Sequence, residues 1–362
     1  MKILVTGADG MLGREMLAAM SWDHEVMGVT RLSLDLGNLE RVRELMVRYR
    51  PVAVIHCEGV DDLDYCEGQA WEAMHLNVAW THNVVLACHG LETALALPST
   101  SEIFCGLKSG PYTEWDAPDP PNVYGHTKAA AEMLVRDHLT RFHICRTQGL
   151  FSRHGHGFVQ DVLHAISGGQ PVTAAGDEFI LPTHAADYAA AVCWLVRNQV
   201  YGTFHLTSTG PRGGISCADW ARLIANAVGA PEYPVAEAPA ASLLGTVVAG
   251  ALAGRRARRA PRAILGSTMY RLRGHVMPTI EESLYGFLHG VPSAADAPAP
   301  VREDVEVAAG GRRPRKAGLV YGPSPGAVGE AVVTVEMEVT PAVPPDGVAA
   351  SRQATAEAVA QG

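Results

Sequence analysis

A chain of 362 residues, 48% of them hydrophobic, carries enough apolar side chain for one large core or two ordinary ones. Its formal net charge of −9 excludes a general nucleic-acid binder, which needs a basic footprint to neutralise phosphates. Seven cysteines without a Cys-x-x-Cys pair read as reduced thiols of a cytoplasmic protein, not as a disulfide framework or a metal site.

The first apolar run begins at Ile3 with no basic leader, so no export signal is expected. Lys2 to Thr6 reads as a strand that breaks into Gly7-Ala8-Asp9-Gly10-Met11-Leu12-Gly13, followed by an apolar helical pattern through Met20. In such a strand–turn–helix the glycines let the backbone approach a pyrophosphate, whose charge meets the free N–H groups of the helix start. Gly7, Gly10, Met11, Leu12 and Gly13 are therefore candidate dinucleotide contacts, the competing reading being a tight turn with no ligand.

Val26 to Val29 reads as the second strand and ends at Thr30-Arg31 with no acidic residue. A carboxylate there selects NAD by binding the ribose 2′-hydroxyl, whereas an arginine pairs with a 2′-phosphate, so Arg31 favours NADP(H) and leaves NAD(H) as the alternative. Leu34-Asp35-Leu36 precedes a helix from Asn38 to about Tyr49, and Asp35 either contacts an adenine or caps that helix. Pro51 to His56 is the third strand, Trp71 to His89 a long amphipathic helix carrying Asn77, and Ala94 to Leu97 the next strand, running into Ser99-Thr100. This alternation predicts an α/β fold, a Rossmann-type doubly wound parallel sheet that holds ligands at the carboxyl ends of its strands.

Tyr124-Gly125-His126-Thr127-Lys128 opens a helix-like run through Val135 and puts the tyrosine and lysine on one helical face. A phenol with a pKa near ~10 becomes a useful acid when a fixed cation stabilises its phenolate, and a lysine one turn away supplies one. A surface tyrosine beside a solvated lysine is the alternative.

These motifs keep company. Gly7-x-x-Gly10-x-x-Gly13, Leu34-Asp35-Leu36, Val54-Ile55 followed by Asp64 and Glu67, Leu76-Asn77, Ser99-Thr100, Phe104 with Gly106, Pro111-Tyr112-x-Glu114 and Tyr124-Gly125-x-x-Lys128 occur in order. Arg146-Thr147, Gly155 with Phe158-Val159, Asp177 with Pro182-Thr183, and Ala186-Asp187 continue the series. From about residue 1 to 290 this set resembles the extended short-chain dehydrogenase/reductases. Within them it is most similar to the dTDP-4-dehydrorhamnose reductase group, which reduces the 4-keto group of nucleotide-linked 6-deoxyhexoses with NAD(P)H. The resemblance implies that Thr100 holds the substrate carbonyl, that Tyr124 protonates it as hydride arrives from the nicotinamide, and that Lys128 tunes Tyr124 and binds the nicotinamide ribose.

The chain departs from that pattern at His56-Cys57-Glu58-Gly59-Val60-Asp61, where the family carries an alanine-rich segment, at Ser101-Glu102 after Ser99-Thr100, and at Gln148-Gly149 after Arg146-Thr147. Glu58 must point away from a bound pyrophosphate. Glu102 resembles the catalytic acid/base of nucleotide-sugar 4,6-dehydratases, so a dehydratase or epimerase on the same fold is the enzymatic alternative. A non-catalytic, NADP-binding regulatory subunit is the other.

The domain division expected is 1–150 for the dinucleotide domain, 151–290 for a smaller substrate domain with some interleaved segments, and 291–362 for a low-complexity, disordered tail. Arg255, Arg256, Arg258, Arg259, Arg262, Arg271 and Arg273 form a local basic cluster suited to the diphosphate of a nucleotide-sugar, or else a solvated loop. His154 and His156 lack a further ligand at metal spacing, so no metal is expected. Ala238 to Gly254 is uncharged but short and rich in Ala and Gly, which argues against a membrane span. The partner expected is a nucleotide-sugar, with no nucleic acid or membrane, and a homodimer is left open.

Overall fold

The computed structural model describes residues 1–243 and 257–290. The tail expected from residue 291, Arg255, Arg256 and residues 244–254 of the uncharged stretch lie outside the described residues.

Strands β1 (Lys2–Thr6), β2 (Glu25–Val29), β3 (Ala53–His56), β4 (Ala94–Thr100) and β5 (Phe142–Thr147) join the strand Gly202–His205 in one parallel sheet. The order is β2-β1-β3-β4-β5 with Gly202–His205 outermost. Side chains alternate across each strand, so the apolar runs feed two cores at once. Ile3, Val5 and Ile55 pack on one face with Met16, Met20, Tyr188 and Val192, which come from helices Met11–Met20 and Ala185–Arg197. Leu4, Val54, Leu95 and Leu97 pack on the other with Val42, Met46, Val85 and Val135, from helices Leu39–Tyr49, Trp80–Leu91 and Val123–His138.

A separate core lies in the later part of the chain, where Phe151, Val159, Trp220, Ile224, Leu284 and Phe287 meet among helices Phe158–Ser167, Cys217–Ala227 and Ile280–His289. Helix Ala185–Arg197 and strand Gly202–His205 leave that lobe and return to the sheet.

The helix expected over Trp71 to His89 runs without a break through Ala70–Met74, a π-helical turn His75–Ala79 and Trp80–Leu91; the π turn is the departure from a regular helix. The cause is tertiary. Asn77 Nδ2 donates to Val60 O (2.8 Å) and Thr127 Oγ1 (2.9 Å), and Asn77 Oδ1 accepts from Val60 N (2.7 Å), which a residue on a regular helical path must be displaced to reach.

Candidate active site

The strand order reverses between β1 and β3, and the crevice of a doubly wound sheet lies at the carboxyl ends of such strands. The glycine turn sits there. Gly7 has φ +63°, and a Cβ on it would lie 2.8 Å from Glu58 N, so the ends of β1 and β3 touch through it. A Cβ on Gly13 would lie 2.0 Å from Gly7 O, and Gly10 N donates to Gly7 O at 3.0 Å. Helix Met11–Met20 starts with no side-chain cap, so its first-turn N–H groups face the same crevice as the turn. This bare backbone at a helix N-terminus fits a pyrophosphate, and only glycine permits it.

At the end of β2, Arg31 Nε donates to Glu58 Oε1 (2.6 Å), its Nη2 donates to Gly59 O (3.1 Å), and its guanidinium lies 5.4 Å from the Trp80 ring. Glu58 thus points at an arginine. Asp35 does not cap the helix that follows it. Asp35 Oδ1 accepts from Gly37 N (2.8 Å), and Asn38 is the cap, accepting from Arg41 N (3.2 Å).

The chemistry-bearing groups meet one strand further on. Thr100 ends β4, and Tyr124 lies in the first turn of helix Val123–His138, near enough for the Thr100 hydroxyl to act on its phenol. A Cβ on Gly125 would lie 2.1 Å from Glu102 O, so the helix start seats directly on the turn after β4. Burial raises the Tyr124 phenol above its ordinary range, Asp61, Cys66 and Glu102 add to this, and the Thr100 hydroxyl opposes it. The phenol is therefore protonated at neutral pH. Burial lowers the Lys128 ammonium, while Glu132, Asp61 and Cys57 work to keep its charge.

Glu102 lies beside the pair but is bound into the frame. Asn122 Nδ2 donates to Glu102 Oε2 (2.7 Å) and to Arg258 O (2.8 Å), while Asn122 Oδ1 caps the helix by accepting from Gly125 N (2.8 Å). The Ala260 N–H also lies near the Glu102 carboxylate and favours its charged form. Burial pushes this carboxyl up to about 6, against the Asn122 bond, Arg259 and the Ala260 N–H, which pull it down. Arg259 itself is held by Asp64 (2.9 Å), and Arg262 lies 4.0 Å over the Phe179 ring. Arg258, Arg271 and Arg273 are exposed.

Behind Lys128 a buried ion pair closes the helix onto β5. Arg146 Nε and Nη2 donate to Glu132 Oε1 and Oε2 at 2.9 and 2.7 Å, Ser99 Oγ donates to Oε1 (2.6 Å), and Arg136 Nη2 donates to Oε2 (2.8 Å). Sequence reasoning did not single out Glu132 or Asn122. Asn122 had a readable signal, a capping residue just ahead of the helical run, and Glu132 stands four residues after Lys128 on the same face. At the other altered position, Gly149 has φ +56°, and the Gln148 amide satisfies Ala263 O and Leu181 N at 3.0 Å each.

A parallel sheet with a glycine cradle, a threonine–tyrosine hydroxyl pair and a lysine one turn on defines a dinucleotide-dependent oxidoreductase of the short-chain dehydrogenase/reductase type. The sequence profile of the RmlD substrate binding domain matches residues 1–291, and the chain belongs to that family. A dTDP-4-keto-6-deoxy-D-glucose reductase of Streptomyces niveus is 32% identical over 244 residues, 67% of this chain and 84% of that protein. The dTDP-4-dehydrorhamnose reductase of Bacillus anthracis str. Ames, solved in complex with NADP, superposes with a TM-score of 0.73 at 26% identity, covering 80% of this chain and 99% of that one. The UDP-glucose 4-epimerase of Thermotoga maritima, at 17% identity and a TM-score of 0.67 over 80% of this chain and 98% of its own, shares the fold.

Proposed function

We propose that this protein is an NADP(H)-dependent reductase of a nucleotide-linked 4-keto-6-deoxy sugar, of the dTDP-4-dehydrorhamnose reductase kind. The observation that carries the reading is the buried, protonated Tyr124 phenol on which the Thr100 hydroxyl acts, with Lys128 one helical turn further on. The names of its relatives supply the substrate class.

A bound nicotinamide supplies the hydride. Gly7, Gly10, Met11, Leu12 and Gly13 hold the pyrophosphate, and Arg31 and Asp35 face the adenosine end. Thr100 holds the sugar carbonyl oxygen, and Tyr124 gives that oxygen its proton. Lys128 steadies the phenolate left behind and binds the nicotinamide ribose. Residues 151–290, apart from helix Ala185–Arg197 and strand Gly202–His205, form the substrate lobe. The free thiols of all seven cysteines suit the reducing cytoplasm. Among the described residues no helix is long and apolar enough to cross a membrane.

The dehydratase reading needs Glu102 to remove a sugar proton. Its carboxylate accepts from Asn122 Nδ2 (2.7 Å), itself tied to Arg258 O and to the helix start, which supports a structural tie instead. The test is to mix the protein with NADPH and a panel of nucleotide-linked 4-keto sugars and follow the absorbance of the reduced cofactor. Consumption equal in moles to product is expected. Catalytic turnover with no change in the reduced cofactor overturns the reductase reading and makes Glu102 the acid/base.

A further inference from the structure

The pair at the end of β2 and β3 is built asymmetrically. The Glu58 side chain is only 7% exposed, whereas that of Arg31 is 45% exposed, so the carboxylate is the fixed member and the guanidinium the presented one. Glu58 Oε1 also accepts from Gly59 N (3.3 Å), which ties the carboxylate to its own backbone. Arg31 spends Nε on Glu58 and one Nη2 donor on Gly59 O, lies over Trp80, and keeps its Nη1 edge for a ligand. An unaccompanied arginine would present a full positive charge to an adenosine ribose. Here the charge is matched within 2.6 Å by a carboxylate.

We propose that Glu58 is the positioning residue that sets discrimination at the adenosine 2′ position, holding Arg31 in place as a neutral pair so that the protein takes both NADH and NADPH. The inference rests on the proposed dinucleotide-dependent function. A 2′-phosphate docking on the free edge of Arg31 comes within a few ångströms of the Glu58 carboxylate. At an effective dielectric near ~20 that repulsion costs on the order of tenfold or more in affinity. A ribose 2′-hydroxyl suffers no such repulsion.

The experiment titrates wild-type protein, Glu58→Gln and Glu58→Asp with NADPH and with NADH, reading nicotinamide fluorescence at two salt concentrations. The wild-type Kd ratio of NADH to NADPH is expected to be below about tenfold. Glu58→Gln keeps an oxygen acceptor for Arg31 and removes the charge. It should raise the ratio roughly tenfold by tightening NADPH while leaving NADH unchanged, and steepen the salt dependence of NADPH alone. Glu58→Asp restores the charge and should return the ratio to the wild-type value. An unchanged or lowered ratio in Glu58→Gln overturns the inference. So does a wild-type preference for NADPH above about a hundredfold, which needs no variant to fold and leaves the reductase reading intact. Failure of the wild-type protein to bind either nucleotide removes both.

Discussion

Glu102 brings a buried carboxyl pushed up to about 6 from an ordinary 4.5. Between those values the folded chain holds a proton that the unfolded chain releases, so stability falls as pH rises through that window and stays lower above it. Glu102→Gln removes the ionisation and leaves an amide oxygen for Asn122 and Ala260 N. The variant should be more stable than wild type by up to about 2 kcal/mol above pH 6, the gap closing below pH 4.5, as read by urea denaturation at several pH values. Tyr124→Phe removes the proposed proton donor and keeps the ring, and kcat should drop by ~10²–10⁴ with the cofactor Kd unchanged. Tyr124, Lys128 and Thr100 were readable in the sequence because proton chemistry needs particular residue types at short spacing. The Arg31–Glu58 pair was not, because its partners stand 27 residues apart and meet only where β2 and β3 flank β1. Read alone, Glu58 suggests a repelled carboxylate and Arg31 a phosphate ligand, and neither reading contains the other.

At the scale of the element, one residue ties three segments. Asn122 caps helix Val123–His138, donates to Glu102 after β4 and donates to Arg258 O in the later part of the chain. Asn122→Ala loses the cap and leaves a buried carboxylate short of a donor. A loss of about 2–4 kcal/mol is expected in chemical denaturation, together with lower kcat because Tyr124 sits in the helix turn that the cap fixes. Four of the six strands of the sheet are legible to within a few residues, since apolar runs bounded by turn residues mark parallel strands strongly, whereas β5 shows only as the motif Arg146-Thr147. The π turn at His75–Ala79 was not, because apolar spacing records which face is buried and carries no trace of the bonds from Asn77 to Val60 and Thr127. Strand Gly202–His205 escaped notice for a related reason. At four residues, two of them Gly202 and Thr203, it has too little apolar pattern to stand out from loop.

Across the whole molecule, burial dominates the response to acid. His56 and His205 are lowered to about 3 and His143 to about 4, in each case chiefly by withdrawal from water. His56 is wedged between Thr6 (2.8 Å) and Thr81 (3.0 Å), and both His143 ring nitrogens are buried. Below pH 6.5 the unfolded chain takes up protons that the folded chain refuses, so stability present above pH 6.5 is lost as pH falls toward 4. The slope should approach about 4 kcal/mol per pH unit, far outweighing the opposite contribution of Glu102, and a denaturation series across that range checks it. At the other end of the chain, helix Ile280–His289 starts with a Thr279–Glu282 capping box and ends on Gly290 in the left-handed region. A protein cut after Gly290 should remain folded and keep its cofactor affinity; loss of either would show that later residues support the fold.

The π turn has a consequence for insertions and deletions. Five residues there cover the path that a regular helix covers with one fewer, so the turn acts as a one-residue insertion kept in the chain for the sake of Asn77. Deleting Val78 would let the segment close into an unbroken α-helix, a locally favourable change that keeps the turns on either side in register and draws Asn77 off its displaced path. Asn77 would then lose its reach to Val60 and Thr127, and the loop that carries Glu58 and Gly59 would lose its anchor to the Tyr124 helix. Shortening this helix by one residue thus improves its hydrogen-bond geometry and dismantles the crevice beside it.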